Sequence, residues 1–268
     1  MPTTSQGIEN LASADFEVKT RQPKILFFDI ETAPNLGYIW GKFEQNVIEY
    51  THEWYMLSWS AKWSGGKHIT KGLVDYESYT PNTENDLDLV TDLHKLLAEA
   101  DIVIAHNGNK FDIKRANTRF IEHDLKPPEP FKVVDTLTIA RRHFGFNSNK
   151  LDDLGRRLGV GRKLKHAGFD LWKGCMQGDA KAWRTMKRYN RQDVLLLEQV
   201  YLKLRPWINN HPNISILSDI ENGCRNCGSR HLVKQGVKIT ATGKRQQYQC
   251  QDCGAWMSGK HIPKTDIR

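Results

Sequence analysis

Lys24-Ile25-Leu26-Phe27-Phe28-Asp29-Ile30-Glu31 is a short, nearly continuous apolar run that ends in two acids. Such a run reads as a strand buried on both faces, the pattern of a central strand in an α/β sheet. Side chains alternate along a strand, so Asp29 and Glu31 face one way and Ile30 the other. Working outward, residues 102–105 and 132–134 read as further short strands. Tyr55, Leu57, Trp59, Ala61 and Trp63 alternate within a stretch, 38–73, that reads as two or three antiparallel strands turning at Gly65-Gly66. Leu89, Leu93, Leu96 and Leu97 recur at helical spacing, with Thr83 as the expected N-cap. Helices are also expected after Asn107-Gly108-Asn109, over 136–143 and 151–158, and from about 180 to 204. This order predicts a mixed α/β domain with an antiparallel edge and a parallel portion.

The chain has 268 residues and a formal net charge of +8, enough for one large domain or two smaller ones. No apolar run approaches the roughly 18 residues of a membrane span. Residues 1–22 are polar and aperiodic, without the apolar stretch of a secretory leader, and read as a loose arm. The expectation is a cytoplasmic protein in a reducing compartment, with no membrane partner. The charge is unevenly spread. Residues 221–268 hold nine Lys and Arg against three Asp and Glu, while residues 1–220 hold 30 against 28. That asymmetry predicts a basic tail that meets a polyanion.

Two carboxylates on one strand face repel each other and are costly to bury unless a cation compensates. Hard oxygen ligands suit Mg²⁺ or Mn²⁺. Two solvated acids at a strand end would look the same in sequence. Asp112 follows the second apolar strand in Asn107-Gly108-Asn109-Lys110-Phe111-Asp112, and Tyr189 and Asp193 share one face of the long final helix. These three segments together resemble the DEDD 3′→5′ exonucleases of the RNase H-like fold, a family that includes the proofreading domains of DNA polymerases. Asp29-Ile30-Glu31, followed by Thr32, matches its first motif, Asn107 to Asp112 its second, and Tyr189 to Asp193 its third. Arg188 stands where the histidine subtype has His, so the tyrosine subtype is indicated.

The resemblance covers about residues 23–205. It implies an RNase H-like mixed sheet flanked by helices and two Mg²⁺ or Mn²⁺ ions held by Asp29, Glu31, Asp112 and Asp193. It also implies in-line hydrolysis of the terminal phosphodiester, with the Tyr189 hydroxyl orienting the attacking water. Thr32, Asn107 and Phe111 are candidates for the terminal-nucleotide pocket, although Phe111 also reads as core. Lys163 and Lys165, in a basic loop with Arg162 and His166, are candidates for backbone contact. Asp135 reads as a helix N-cap, and Asp152-Asp153 as capping acids.

Cys224-Arg-Asn-Cys227 and Cys250-Gln-Asp-Cys253 are two Cys-x₂-Cys knuckles, each followed by Gly. Four thiolates so spaced suit one structural, tetrahedral Zn²⁺, with two disulfides as the alternative. The spacing resembles a zinc ribbon, in which two β-hairpins clasp the ion. Lys234, Lys244 and Arg245 on its hairpin are candidates for gripping nucleic acid; docking to replication or repair proteins is the other role for such a module. Helix breakers around Pro206 to Pro212 divide the chain into an arm (1–22), a catalytic domain (23–215) and the ribbon (216–268).

The expected function is that of a stand-alone 3′→5′ exonuclease acting on nucleic acid with a free 3′ end, DNA favoured over RNA by analogy. An RNase H-like endonuclease or structure-specific nuclease shares the carboxylate chemistry. A non-catalytic nucleic-acid-binding protein would not need all four acids.

Overall fold

Strand β1 (Ile25–Thr32) lies in the middle of a five-stranded sheet in the computed structural model, which describes residues 22–43 and 46–262. The loose arm expected over 1–22 therefore lies, apart from Gln22, outside the described residues. After β1 come β2 (Leu36–Tyr38) and β3 (Glu49–His52), which pair with each other as a small separate hairpin. The main sheet continues with β4 (Met56–Trp63) and β5 (His68–Gly72), then β6 (Ile102–Ala105) and β7 (Lys132–Asp135). Its order is β5-β4-β1-β6-β7. The β1–β4 and β4–β5 pairs are antiparallel, with Phe28 opposite Ala61. The β1–β6 and β6–β7 pairs are parallel, with Leu26 opposite Val103.

Helices α1 (Leu87–Glu99), α2 (Asp112–Glu122), α3 (Thr136–His143), α4 (Leu151–Arg157), α5 (Phe169–Met176), α6 (Ala180–Leu204) and α7 (Ile214–Leu217) follow in chain order. Alternation along β1 divides the core between the two faces of the sheet. Leu26, Phe28 and Ile30 pack with Leu89, Leu93, Phe120, Leu171 and Met186. Phe27 packs on the other side with Ile104, Val134, Leu154, Val200 and Tyr201. Each of these fully buried side chains contributes roughly 1.5–3 kcal/mol by leaving water. Asp29 and Glu31 share the face of Phe27, and α6 supplies residues to both clusters while crossing β1, β4 and β5. The long helix thus brings its middle over the acidic end of β1.

Three local expectations change. The N-cap of α1 is Asp86, not Thr83. Asp86 is fully buried because Arg119 Nε (2.8 Å) and the Met56 backbone N–H (2.7 Å) donate to its carboxylate. Helix α5 was not anticipated; it lies after His166, in a stretch for which no element was expected. Finally, β8 (Leu232–Thr240), β9 (Gly243–Cys250) and β10 (Trp256–Ile262) form one antiparallel sheet in the order β10-β9-β8, so the two expected hairpins share their central strand. Among the described residues no helix is long and apolar enough to cross a membrane.

Candidate active site

The parallel strands β1 and β6 end on the same edge of the sheet, and the acids collect there. Asp29 and Glu31 are partly buried on β1, and Asp193 on α6 is 1% exposed. Their ligand oxygens all lie within 4.8 Å of one another. Asp112, the first residue of α2, stands beside this trio, its Oδ1 accepting the Ile30 backbone N–H at 3.1 Å. The turn that delivers it is tight. Asn107 has φ +69°, and a Cβ on Gly108 would stand 2.4 Å from that of Ala105. Asp135 caps α3 through the Leu137 and Thr138 N–H groups, as expected, and also accepts the N–H groups of Asn107 and Asn109. One buried carboxylate therefore fixes both the helix and the turn.

Among the described residues one lysine, Lys163, is paired with these acids. Lys163 Nζ donates to Asp193 Oδ2 at 2.6 Å and to Tyr189 Oη at 3.1 Å. Its backbone N–H is held at 2.7 Å by Asp152 Oδ1, which gives that acid a loop-anchoring role rather than a capping one. The single ammonium is not enough. Burial, followed by the charges of Asp112, Asp193 and Glu31, holds Asp29 well above the usual carboxylate range. Burial and Asp193 push Glu31 up to about 8. Burial pushes Asp112 up to about 7, and Asp193 is raised by burial despite Lys163. Asp193 Oδ1 is buried without a hydrogen-bond partner. A cluster short of positive charge, with an unsatisfied anionic oxygen, fits hard divalent cations.

Tyr189 is walled by His166, whose ring centroid lies 4.6 Å away, and by Trp172 at 6.0 Å. His166 therefore stands at the candidate site, its ring against Tyr189 and Trp172. Burial pushes the Tyr189 hydroxyl above its ordinary pKa, so it stays protonated at neutral pH. A groove of about 670 Å³ opens beside the cluster, lined by Asp29, His106, Asn107, Arg141, Ser148 and Lys163 among others.

The second candidate metal centre is the cysteine cluster. The four sulfurs lie within 4.8 Å of one another, with Cys224 to Cys253 at 3.6 Å and Cys227 to Cys250 at 3.7 Å. Four sulfurs about 2.3 Å from a tetrahedral zinc would be about 3.8 Å apart, so the set fits that ion. The four cysteines are free thiols, not disulfides. Gly228 and Gly254 have φ +77° and +81°, which closes each knuckle so that its N–H reaches the carbonyls of Cys224 and Cys250. Asn226, in the first knuckle, is buried and donates to the carbonyls of Arg205 (2.7 Å) and Ile208 (3.1 Å), fastening the module to the end of α6.

The RNase_H_2 family of the RNase_H superfamily matches residues 26–205, the span that contains all of the five-stranded sheet but its first residue, and all four acids. The chain belongs to the RNase H superfamily. Its fold is also similar to that of the family B DNA polymerase from the hyperthermophilic archaeon Pyrobaculum calidifontis, with a TM-score of 0.54 at 14% sequence identity. That similarity covers 85% of this chain and 32% of the polymerase, so the chain spans about a third of the protein it matches, and the likeness is one of fold. The chain matches no curated protein.

The RNase H-like sheet gathers some candidate residues and leaves others apart. Thr32 ends β1, half-buried, and Asn107 lines the groove. Phe111 is 37% exposed beside Arg115, whose guanidinium lies 4.0 Å over the Trp54 ring. Lys165 is exposed. Lys234, Lys244 and Arg245 sit on β8 and β9 in the cysteine module, not at the acids. Two residues escaped the sequence reading. Fully buried Asn190 donates to Asp29 Oδ2 at 2.7 Å and accepts from Ser58 Oγ at 3.1 Å. Trp172 stands close enough to Glu31 to favour its charged form. Asn190 was findable, being three residues before Asp193 on the same helical face. Trp172 gave no signal, because its helix is too short to show a period.

Proposed function

We propose that this chain is a metal-dependent 3′→5′ exonuclease of the tyrosine DEDD subtype, with a catalytic domain over 23–215 and a zinc ribbon over 216–268 that helps hold nucleic acid. The observation that carries the reading is the convergence of Asp29, Glu31 and Asp193 within 4.8 Å, with Lys163 joining Tyr189 to the same cluster. Membership in the RNase H superfamily supports phosphodiester hydrolysis as the reaction. Asp29, Glu31, Asp112 and Asp193 would hold two Mg²⁺ or Mn²⁺ ions. Such ions, when bound, supply an acidified water and neutralise charge on the phosphodiester.

The chain's own groups do the rest. Asn190 fixes the rotamer of Asp29. The Tyr189 hydroxyl, kept protonated by burial, is a poor base and serves to orient water. Lys163 donates to Tyr189 and Asp193, and the third N–H of its ammonium is free to hold a phosphate oxygen. The groove containing Asn107 and Arg141 would receive the terminal nucleotide, and attack there releases a nucleoside 5′-monophosphate. The ribbon would hold the strand through its excess of basic residues, DNA being the favoured substrate.

Asp29→Asn and Asp193→Asn test this reading, since each keeps the side-chain volume and removes a negative ligand. Each is expected to lower Mg²⁺-dependent hydrolysis of a single-stranded oligonucleotide at least about 10³-fold while thermal stability without divalent ions is kept or raised. Near wild-type hydrolysis by either purified variant overturns the assignment.

A further inference from the structure

One face of the cysteine module's sheet carries a groove of about 740 Å³ that the four-acid site does not explain. Tyr248, on the central strand β9, stands in register between Lys234 of β8 and Met257 of β10. A Cβ at Gly259 would lie 2.6 Å from a carbon of the Tyr248 ring, so the glycine is what allows the ring to lie against β10. Arg230 and Lys260 line the same groove, and among the described residues no acidic side chain does. A half-buried aromatic ring thus lines a trough whose charged lining, among the described residues, is entirely cationic. Arg245, by contrast, pairs across the sheet with Lys238 and His261, and it does not line the trough.

We propose that this groove binds a single-stranded polynucleotide, with Arg230, Lys234 and Lys260 on its phosphates and Tyr248 stacked on an unpaired base. The proposal rests on the reading above that this chain acts on nucleic acid, and it assigns the grip to a face of the module rather than to the hairpin carrying Lys244 and Arg245. Charge complementarity favours a polyanion, and the ring makes the choice between polyanions. A base in a duplex is already stacked and cannot reach a tyrosine set between two flanking strands, whereas an unpaired base can. An acidic peptide would satisfy the cations but has no planar group for the ring. The module is also placed to share a strand with the acids. Its anchor at the Arg205 carbonyl is twelve residues of helix from Asp193, about 18 Å along α6.

The test measures binding of fluorescein-labelled oligo-dT and oligo-rU to the full chain without Mg²⁺ or Mn²⁺, across a salt series. Each phosphate contact to a single strand contributes about 0.7 to the slope of log affinity against log salt, so Arg230→Ala/Lys234→Ala/Lys260→Ala should lower that slope by about 2. Tyr248→Ala should weaken binding about tenfold, and Tyr248→Phe should leave it near wild type, because the ring and not the hydroxyl does the stacking. Zinc content equal to wild type shows that the variants keep the module folded. Equal loss for both oligonucleotides places the contacts on phosphate and base; greater loss for one identifies the sugar that the groove prefers, and either supports the proposal. An unchanged slope in the triple variant overturns it. So does a larger loss from Lys244→Ala/Arg245→Ala, or wild-type binding of oligoglutamate but of neither oligonucleotide. Hydrolysis of a labelled dinucleotide, which does not span from the acids to the ribbon, reports on the catalytic reading separately. Its absence beside intact strand binding would sink the exonuclease and spare the groove.

Discussion

Asn190→Ala is the substitution whose effect is most fully set by the geometry. The side chain is fully buried, donates to Asp29 Oδ2 at 2.7 Å and to the Asp29 carbonyl at 3.2 Å, and accepts from Ser58 Oγ at 3.1 Å. Removing it deletes a hydrogen bond to a carboxylate, about 1.5–3 kcal/mol, and strands the buried Ser58 hydroxyl, about 1–3 kcal/mol. The two costs overlap, and a net loss of about 3 kcal/mol is expected, roughly 6–12 °C in Tm for a chain of this size. Ser58→Ala loses one neutral hydrogen bond, about 1 kcal/mol, and the double variant should fall short of the summed costs by about 1 kcal/mol because the stranded hydroxyl is gone. Asp29 also loses the partner that fixes its rotamer. By analogy with groups that orient metal ligands, Mg²⁺-dependent hydrolysis should drop about 10–100-fold. Calorimetric melting and an oligonucleotide-hydrolysis assay read the two effects. A variant within about 0.5 kcal/mol of wild-type stability and within about twofold of its activity would refute the reasoning.

Three further outcomes follow from the same geometry. Glu31 and Asp112 are raised to about 8 and about 7, so each favours the folded state while protonated, and that contribution is lost as pH rises through the folded values. Without divalent ions, Tm should therefore fall between pH 6.5 and 8.5, and added Mg²⁺ should reverse the trend; a flat profile without ions would contradict it. His68 and His106, both lowered by burial to about 4, oppose this trend only below about pH 6.5, which sets the lower limit of the window. Cys253→Ser should abolish binding of one zinc per chain and strip hydrogen-exchange protection from β8, β9 and β10 while the five-stranded sheet keeps its own, and retained protection would count against a structural ion. Asp135→Ala removes four backbone N–H contacts at once and should cost about 2 kcal/mol by urea denaturation, at the upper end for a lost cap; a cost under about 0.5 kcal/mol would contradict the bracing role.

What could be read from sequence was local and periodic. The apolar run before Asp29 and the alternation around Trp59 named the central strands, because sheet burial writes itself at a period of two. The acids were legible because costly groups stood at the ends of elements, and the knuckles because ligand spacing is itself the signal. What escaped depended on distant partners. Asp86 stands at the N-cap of α1, but its carboxylate is met by Arg119 and His123, 33 and 37 residues away, and nothing near it announces that pairing. Helix α5 has eight residues and starts after Gly168 at φ +65°, too short a run for a 3.6-residue period to stand out. With it were hidden Trp172 and the inward turn of His166, which close the wall around Tyr189.

The central claim is that these acids cut nucleic acid from its 3′ end. Digestion of a 5′-labelled single strand with Mg²⁺, followed over time on a sequencing gel beside the Asp193→Asn variant, tests it most directly. The account predicts a ladder shortening one nucleotide at a time from the 3′ end, released nucleoside 5′-monophosphates, and no products from the variant. Internal cuts at early times, or a ladder that persists in the variant, would contradict it.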